Sequence, residues 1–233
     1  MSERSAAFAR KSRLTEWALG LFCCAMAVYN LFFSTPYYVF LSVLGLALVF
    51  VPRIAEWVLH LQKDYLLRLT SYLYLFLVYG IGMIFNGYDR IPLYDKVMHT
   101  LTGVIFGLCG LIAFYFLKPK QNGKIVVCKE EFWQAAVFSA GVAAIIAIGW
   151  EVVEFVIDLV LHNDPQHVLD TGVNDTMMDM MVCMAGALLF WLPMHRYYTK
   201  GKSGLLMGVF ESFCHTNSTE KIEKNREKRV DKI

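Results

Sequence analysis

Apolar residues fall into six long blocks separated by short polar stretches: Glu16–Phe33, Tyr37–Val51, Leu69–Phe85, Val97–Leu117, Phe132–Leu161 and Met177–Tyr198. A helix needs about 20 largely apolar residues to cross the hydrocarbon core, and its backbone groups must be satisfied within the segment. The pattern therefore predicts an all-α fold, a polytopic membrane bundle of six transmembrane helices. The second block is short if Pro52 ends it, and reaches spanning length if Ile54–Leu61 continues it as a kinked, partly amphipathic turn. The fifth is longer than one crossing requires and carries acids in its last third. Residues 1–198 form the transmembrane domain and 199–233 a tail. In the tail, Leu205–Phe213 is apolar enough to lie on the inner leaflet, and Glu220–Lys232 alternates charges as a solvated helix or disordered segment does. No internal repeat is evident, which weakens an inverted-repeat transporter reading.

Composition agrees. Hydrophobic residues make up 57% and charged residues 18%, against about 45–50% and 25% in soluble chains. One soluble core of 233 residues cannot hide that much apolar surface, so lipid takes the excess. A net charge of +2 gives no basis for nucleic-acid binding. The distribution of charge says more. Twenty of the 22 Lys and Arg residues precede block one, separate blocks two and three or four and five, or follow from Arg196 onward; only Arg90 and Lys96 fall on the other side. The positive-inside rule then places both termini in the cytoplasm. Ala25-Met26-Ala27 imitates a signal-peptide cleavage site, but the apolar run continues to Phe33, so the block reads as a retained span. The six cysteines form no C-x-x-C pair and read as small apolar residues.

An ionisable residue inside a span costs a few kcal/mol on insertion scales and asks for a partner or a purpose. The last three blocks hold nearly all of them. Asp95 and His99 stand four apart and share a helical face. Spacings of three and four put Glu151, Glu154 and Asp158 on one stripe. Asp175 and Asp179 repeat the four-residue spacing. With the orientation above, all seven lie in the outer half of the membrane, where three helices can bring them together.

Six carboxylates and an imidazole cannot all be charged and dry. Some are protonated, or water enters, or a cation neutralises them. The donor set suits Zn, Mn, Mg or Ca, with His99, Asp95, Glu151, Glu154, Asp158, Asp175 and Asp179 as candidate ligands. Membrane bundles also use such residues for interhelical hydrogen bonds alone, and Asp95 and Asp175 suit helix N-termini in their own right. The segment His162–Val173, with His162 and His167, is a solvated loop or a lid over the site. No G-x-S-x-G, H-E-x-x-H or phosphate-binding glycine loop is present. Gly103, Gly107 and Gly110 allow close packing of the fourth span.

Three motifs, Asp95-x-x-x-His99, Glu151-x-x-Glu154 and Asp175-Thr176-x-x-Asp179-Met180 followed by Gly186-Ala187, resemble the YjdF-like bacterial inner-membrane proteins over about Tyr94–Phe190. VanZ-like envelope proteins share a looser version: Lys96 and His99 fit its K-x-x-H, while Cys183 stands where an asparagine is expected. The resemblance implies a multi-pass protein of the bacterial inner membrane centred on these three stripes, and assigns no chemistry.

Three functions fit the residues. One is an outward-facing site in the lipid bilayer that binds or transports a divalent cation, a proton or an amine. Another is a metal-dependent hydrolase acting on a lipid or envelope precursor at the outer leaflet, with Glu151 or Glu154 as catalytic base; the lack of an arginine clamp beyond Arg90 counts against phospho-substrates. The third is a structural polar network.

Overall fold

A computed structural model describes residues 3–119, 121, 124–161 and 172–218, with the side chains of residues 3–5, Asp158 and Leu161 left out. Most of the segment His162–Val173 and the charged stretch Glu220–Lys232 lie outside the described residues. The fold is helical: α1 Glu3–Phe33, α2 Pro36–Leu48, α3 Val51–Val58, α4 Tyr65–Leu75, α5 Gly87–Arg90, α6 Tyr94–Leu117, α7 Phe132–Leu161, α8 Asn174–Lys200 and α9 Leu205–Thr216. Among the described residues the β pairing is an isolated bridge, Gln121 with Lys124. Six helical segments are long and apolar enough to cross a membrane, namely Ala6–Phe33, Pro36–Val58, Tyr65–Ile84, Tyr94–Leu117, Lys129–Ile157 and Asn174–Lys200.

The expected spans are all present, with shifted ends. Helix α1 begins well before Glu16, because Arg10, Lys11 and Arg13 continue the helix past its apolar part. The second span breaks at Val49–Phe50 and resumes as α3, with Pro52 in its first turn. There the missing N–H costs nothing, so the proline opens a helix rather than ending one.

The chain divides into two compact units, Met1–Tyr94 with Ser212–Ile233, and Asp95–Glu211. In the first, α1 packs against α2 and α4. Cys23, Leu41, Tyr79 and Ile84 form one buried cluster, and Leu19, Val49 and Tyr72 another. Polar groups bridge the helices as the low dielectric requires. Asn30 donates to Ser42 Oγ at 3.1 Å, and Ser42 donates to the Tyr38 carbonyl at 2.8 Å. Arg53 pairs with Glu16 at 2.7 Å, and Arg68 meets Glu56 through two guanidinium nitrogens. After Leu75, α4 widens into a π-helical stretch, Phe76–Ile84. Its carbonyls accept from N–H groups five residues on, as Gly80 O does from Phe85 N at 3.1 Å, and two tyrosine hydroxyls donate to it as well: Tyr94 to Leu77 O at 2.9 Å and Tyr88 to Val78 O at 3.0 Å. Asp64 caps α4 by accepting from Leu67 N–H at 2.8 Å, and also accepts from Ser212 at 2.6 Å.

In the second unit, α6, α7 and α8 meet on small residues. A Cβ on Gly103 would run into the Cys183 carbonyl, one on Gly186 into the Thr100 carbonyl, and one on Gly110 into the Ser139 backbone. Ser139 donates to the Gly107 carbonyl, and Trp191 donates to the Ala136 carbonyl at 3.2 Å. Residues of α9 expected at the inner leaflet, Met207, Val209, Phe210 and Phe213, are buried by protein. By contrast Trp17 (78% exposed), Ile145 (70%) and Leu192 (60%) leave apolar faces of α1, α7 and α8 open to lipid.

Candidate functional site

Helix α6 starts at Tyr94, directly after Leu93, whose φ of 62° turns the chain sharply. Asp95 therefore stands in the first turn of α6, and Asp175 in the first turn of α8. Backbone N–H groups at a helix start lack intrahelical acceptors, and the macrodipole places about half a positive charge there. Both aspartates are favoured where they stand. Asp179 lies one turn further along α8, so Asp175 and Asp179 share a face, as Asp95 and His99 do on α6.

Close approach at Gly103 and Gly186 brings those two faces together. Between them lies Lys96, which the sequence offers as an outer-side charge and as the first residue of a K-x-x-H, and not as a partner of these aspartates. The Lys96 ammonium donates to Asp95 Oδ2 at 2.9 Å, Asp175 Oδ1 at 2.5 Å and Asp179 Oδ1 at 2.8 Å. Three N–H bonds meet three carboxylates, which exhausts the donors of a lysine. His99 Nε2 lies 3.3 Å from Asp95 Oδ1 and 3.9 Å from Asp179 Oδ1. One ligand atom from each of Asp95, His99 and Asp179 falls within 4.8 Å of the others. The cluster is deepest at Asp179, with 5% of its side chain exposed, and most open at Lys96 (26%) and Asp95 (30%).

Of the seven residues singled out from the sequence, four belong to this cluster: Asp95, His99 and Asp179 directly, and Asp175 through Lys96. Glu154 is near enough to His99 and Asp95 to interact electrostatically, but its Oε1 accepts from Trp150 Nε1 of its own helix at 2.7 Å. Glu151 is buried, 6% exposed, and its charge reaches Cys183 of α8. Both glutamates flank the cluster. The Asp158 side chain lies outside the described residues. The signal that could have found Lys96 was its K-x-x-H spacing to His99.

The charges can be weighed. Three aspartates face one ammonium and two helix N-termini, each N-terminus worth about half a charge. With a neutral His99 imidazole that leaves about one negative charge, and protonation of His99, 3.3 Å from Asp95 Oδ1, cancels it. At the far end of α6, about 30 Å away at 1.5 Å per residue, the Tyr115 and Tyr198 hydroxyls pair at 2.6 Å and Lys118 pairs with Glu131.

Comparison with known proteins gives a family and no chemistry. A protein of Thermotoga maritima described as an uncharacterized protein is 26% identical over 141 residues, 59% of this chain and 66% of that protein. The aligned part is thus just short of two thirds of the relative's own length. No solved structure matches the chain. The family described as Predicted membrane protein (DUF2238) matches residues 15–200, which include every described residue of the Asp95–Asp179 cluster. The match covers most of the sequence, and the chain belongs to this membrane-protein family.

Proposed function

We propose that the protein is a multi-pass membrane protein whose α6–α8 cluster binds a cation, with Asp95, His99 and Asp179 as its ligands. The observation that carries the reading is the convergence of two carboxylates and an imidazole within 4.8 Å. Oxygen donors with one nitrogen suit Mn, Zn, Mg or Ca. Charge asymmetry along the sequence supports a bacterial inner-membrane orientation with the ends of the six-span region in the cytoplasm and the cluster outward. The D-x-x-x-H, E-x-x-E and D-T-x-x-D-M blocks all lie within residues 15–200, and we read the family as the YjdF-like group.

Hydrolysis at the outer leaflet would need a base aimed at the bound cation as well. Glu154 has one oxygen engaged by Trp150 of its own helix, whereas binding asks only for the donors that converge, Asp95, His99 and Asp179, so binding is the function the geometry supports best. The test is elemental analysis of detergent-purified protein after equilibration with each of the four metals. Stoichiometric metal in the wild type, lost in Asp179→Asn and in His99→Ala, is the expected result. No retained metal in any form contradicts the reading. Retained metal that both substitutions leave unchanged moves the site elsewhere.

A further inference from the structure

The Lys96 ammonium and a cation compete for the same oxygens. Asp179 Oδ1, 3.9 Å from His99 Nε2, already accepts from Lys96 at 2.8 Å, and Asp95 accepts through its other oxygen at 2.9 Å. A divalent ion held by Asp95, His99 and Asp179 would stand within a few ångströms of the ammonium, and two cations so placed repel strongly in a low dielectric. One of them leaves. Lys96 is able to: its stem is long and flexible, and it lies at the open side of the cluster with 26% of its side chain exposed.

Resting on the cation-binding reading, we propose that Lys96 is a tethered, displaceable counter-ion, and that a divalent cation enters by expelling its ammonium from between Asp95, Asp175 and Asp179. In the empty state the lysine keeps three carboxylates of α6 and α8 together. In the loaded state the metal does so, and the ammonium turns outward. Lys96 thereby lowers the affinity of the site and keeps binding reversible. A site lacking the lysine gains a full unit of negative charge and loses the competitor, so it holds a divalent ion more tightly and is less stable without one.

The probe is Mn2+ alone, added to the full chain in detergent. Lys96→Gln is expected to bind Mn2+ at least tenfold more tightly than the wild type. It is also expected to melt lower than the wild type without metal and to recover when Mn2+ is added. Lys96→Arg, whose planar fork grips carboxylates in pairs, is expected to bind Mn2+ more weakly than the wild type. A second measurement needs no variant: Mn2+ should accelerate acetylation of Lys96 by an amine-reactive reagent, read by mass spectrometry, because expulsion exposes the ammonium. Wild-type binding with unchanged or weaker affinity in Lys96→Gln, or with Lys96 acetylation slowed by Mn2+, overturns the displacement proposal and leaves the cation site standing. Absence of Mn2+ binding in the wild type and in Lys96→Gln alike overturns both.

Discussion

The ammonium of Lys96, in the first turn of α6, donates to Asp179 Oδ1 of α8 at 2.8 Å. The bond joins two helices that are far apart in sequence at the point where both begin. It rests on a close backbone approach lower in the same pair, where Gly103 faces Cys183 and Gly186 faces Thr100. Small residues set the distance, and charged residues at the helix ends use it.

That dependence is testable at the glycines. A methyl group at Gly103 meets backbone that cannot swing away, so Gly103→Ala should destabilise by about 1–3 kcal/mol, the usual cost of overpacking. Gly141→Ala on α7 meets nothing within 4 Å and should leave the melting temperature in detergent unchanged or slightly raised. Gly103→Ala should also weaken metal retention, and Gly141→Ala should not. Equal melting temperatures for the two variants would contradict the packing described.

Buried ion pairs in the first unit give a second test. Arg68 and Glu56 are nearly enclosed, with side chains 8% and 12% exposed. Removing one partner strands the other, so Arg68→Met should cost about 3–5 kcal/mol in thermal or denaturant unfolding. The double variant Arg68→Met/Glu56→Leu should recover much of that loss, because no charge is left unpaired. A double variant as unstable as the single one would show that the pair contributes more than mutual neutralisation.

Much of the fold was legible because lipid imposes a simple rule: long apolar runs become helices, and six runs became six spans. Their ends were less legible. Hydropathy registers only the part of α1 that suits lipid, so the helical turns around Arg10 and Arg13 were missed. The π-helical stretch Phe76–Ile84 is invisible to composition, because an apolar run looks the same at either pitch; it shows in the backbone, where Phe85 N–H donates to the carbonyl of Gly80, five residues back. At the site, four-residue spacing paired Asp95 with His99 and Asp175 with Asp179, since spacing determines a helical face. It did not separate the cluster from its flank, because whether Glu154 turns to His99 or to Trp150 is a matter of rotamer. As a partner of the aspartates, Lys96 was passed over for a different reason. A charge tally gives its side of the membrane and the K-x-x-H its spacing to His99, but neither says that Asp95, Asp175 and Asp179 accept from its ammonium.

Orientation has its own test. A reporter fused after Gly172, between α7 and α8, should be active on the extracytoplasmic side of a bacterial inner membrane, as the excess of Lys and Arg on the opposite side requires. Activity on the cytoplasmic side would turn the cluster inward and remove the outward-facing reading.

The most direct measurement is pulsed EPR of the Mn2+-loaded protein in detergent. An imidazole in the coordination sphere couples its nitrogen to the metal, so the wild type should show a 14N modulation that disappears in His99→Gln, with bound Mn2+ reduced in Asp179→Asn. Bound Mn2+ without that coupling, or with a coupling that survives His99→Gln, would mean that Asp95, His99 and Asp179 do not hold the cation together.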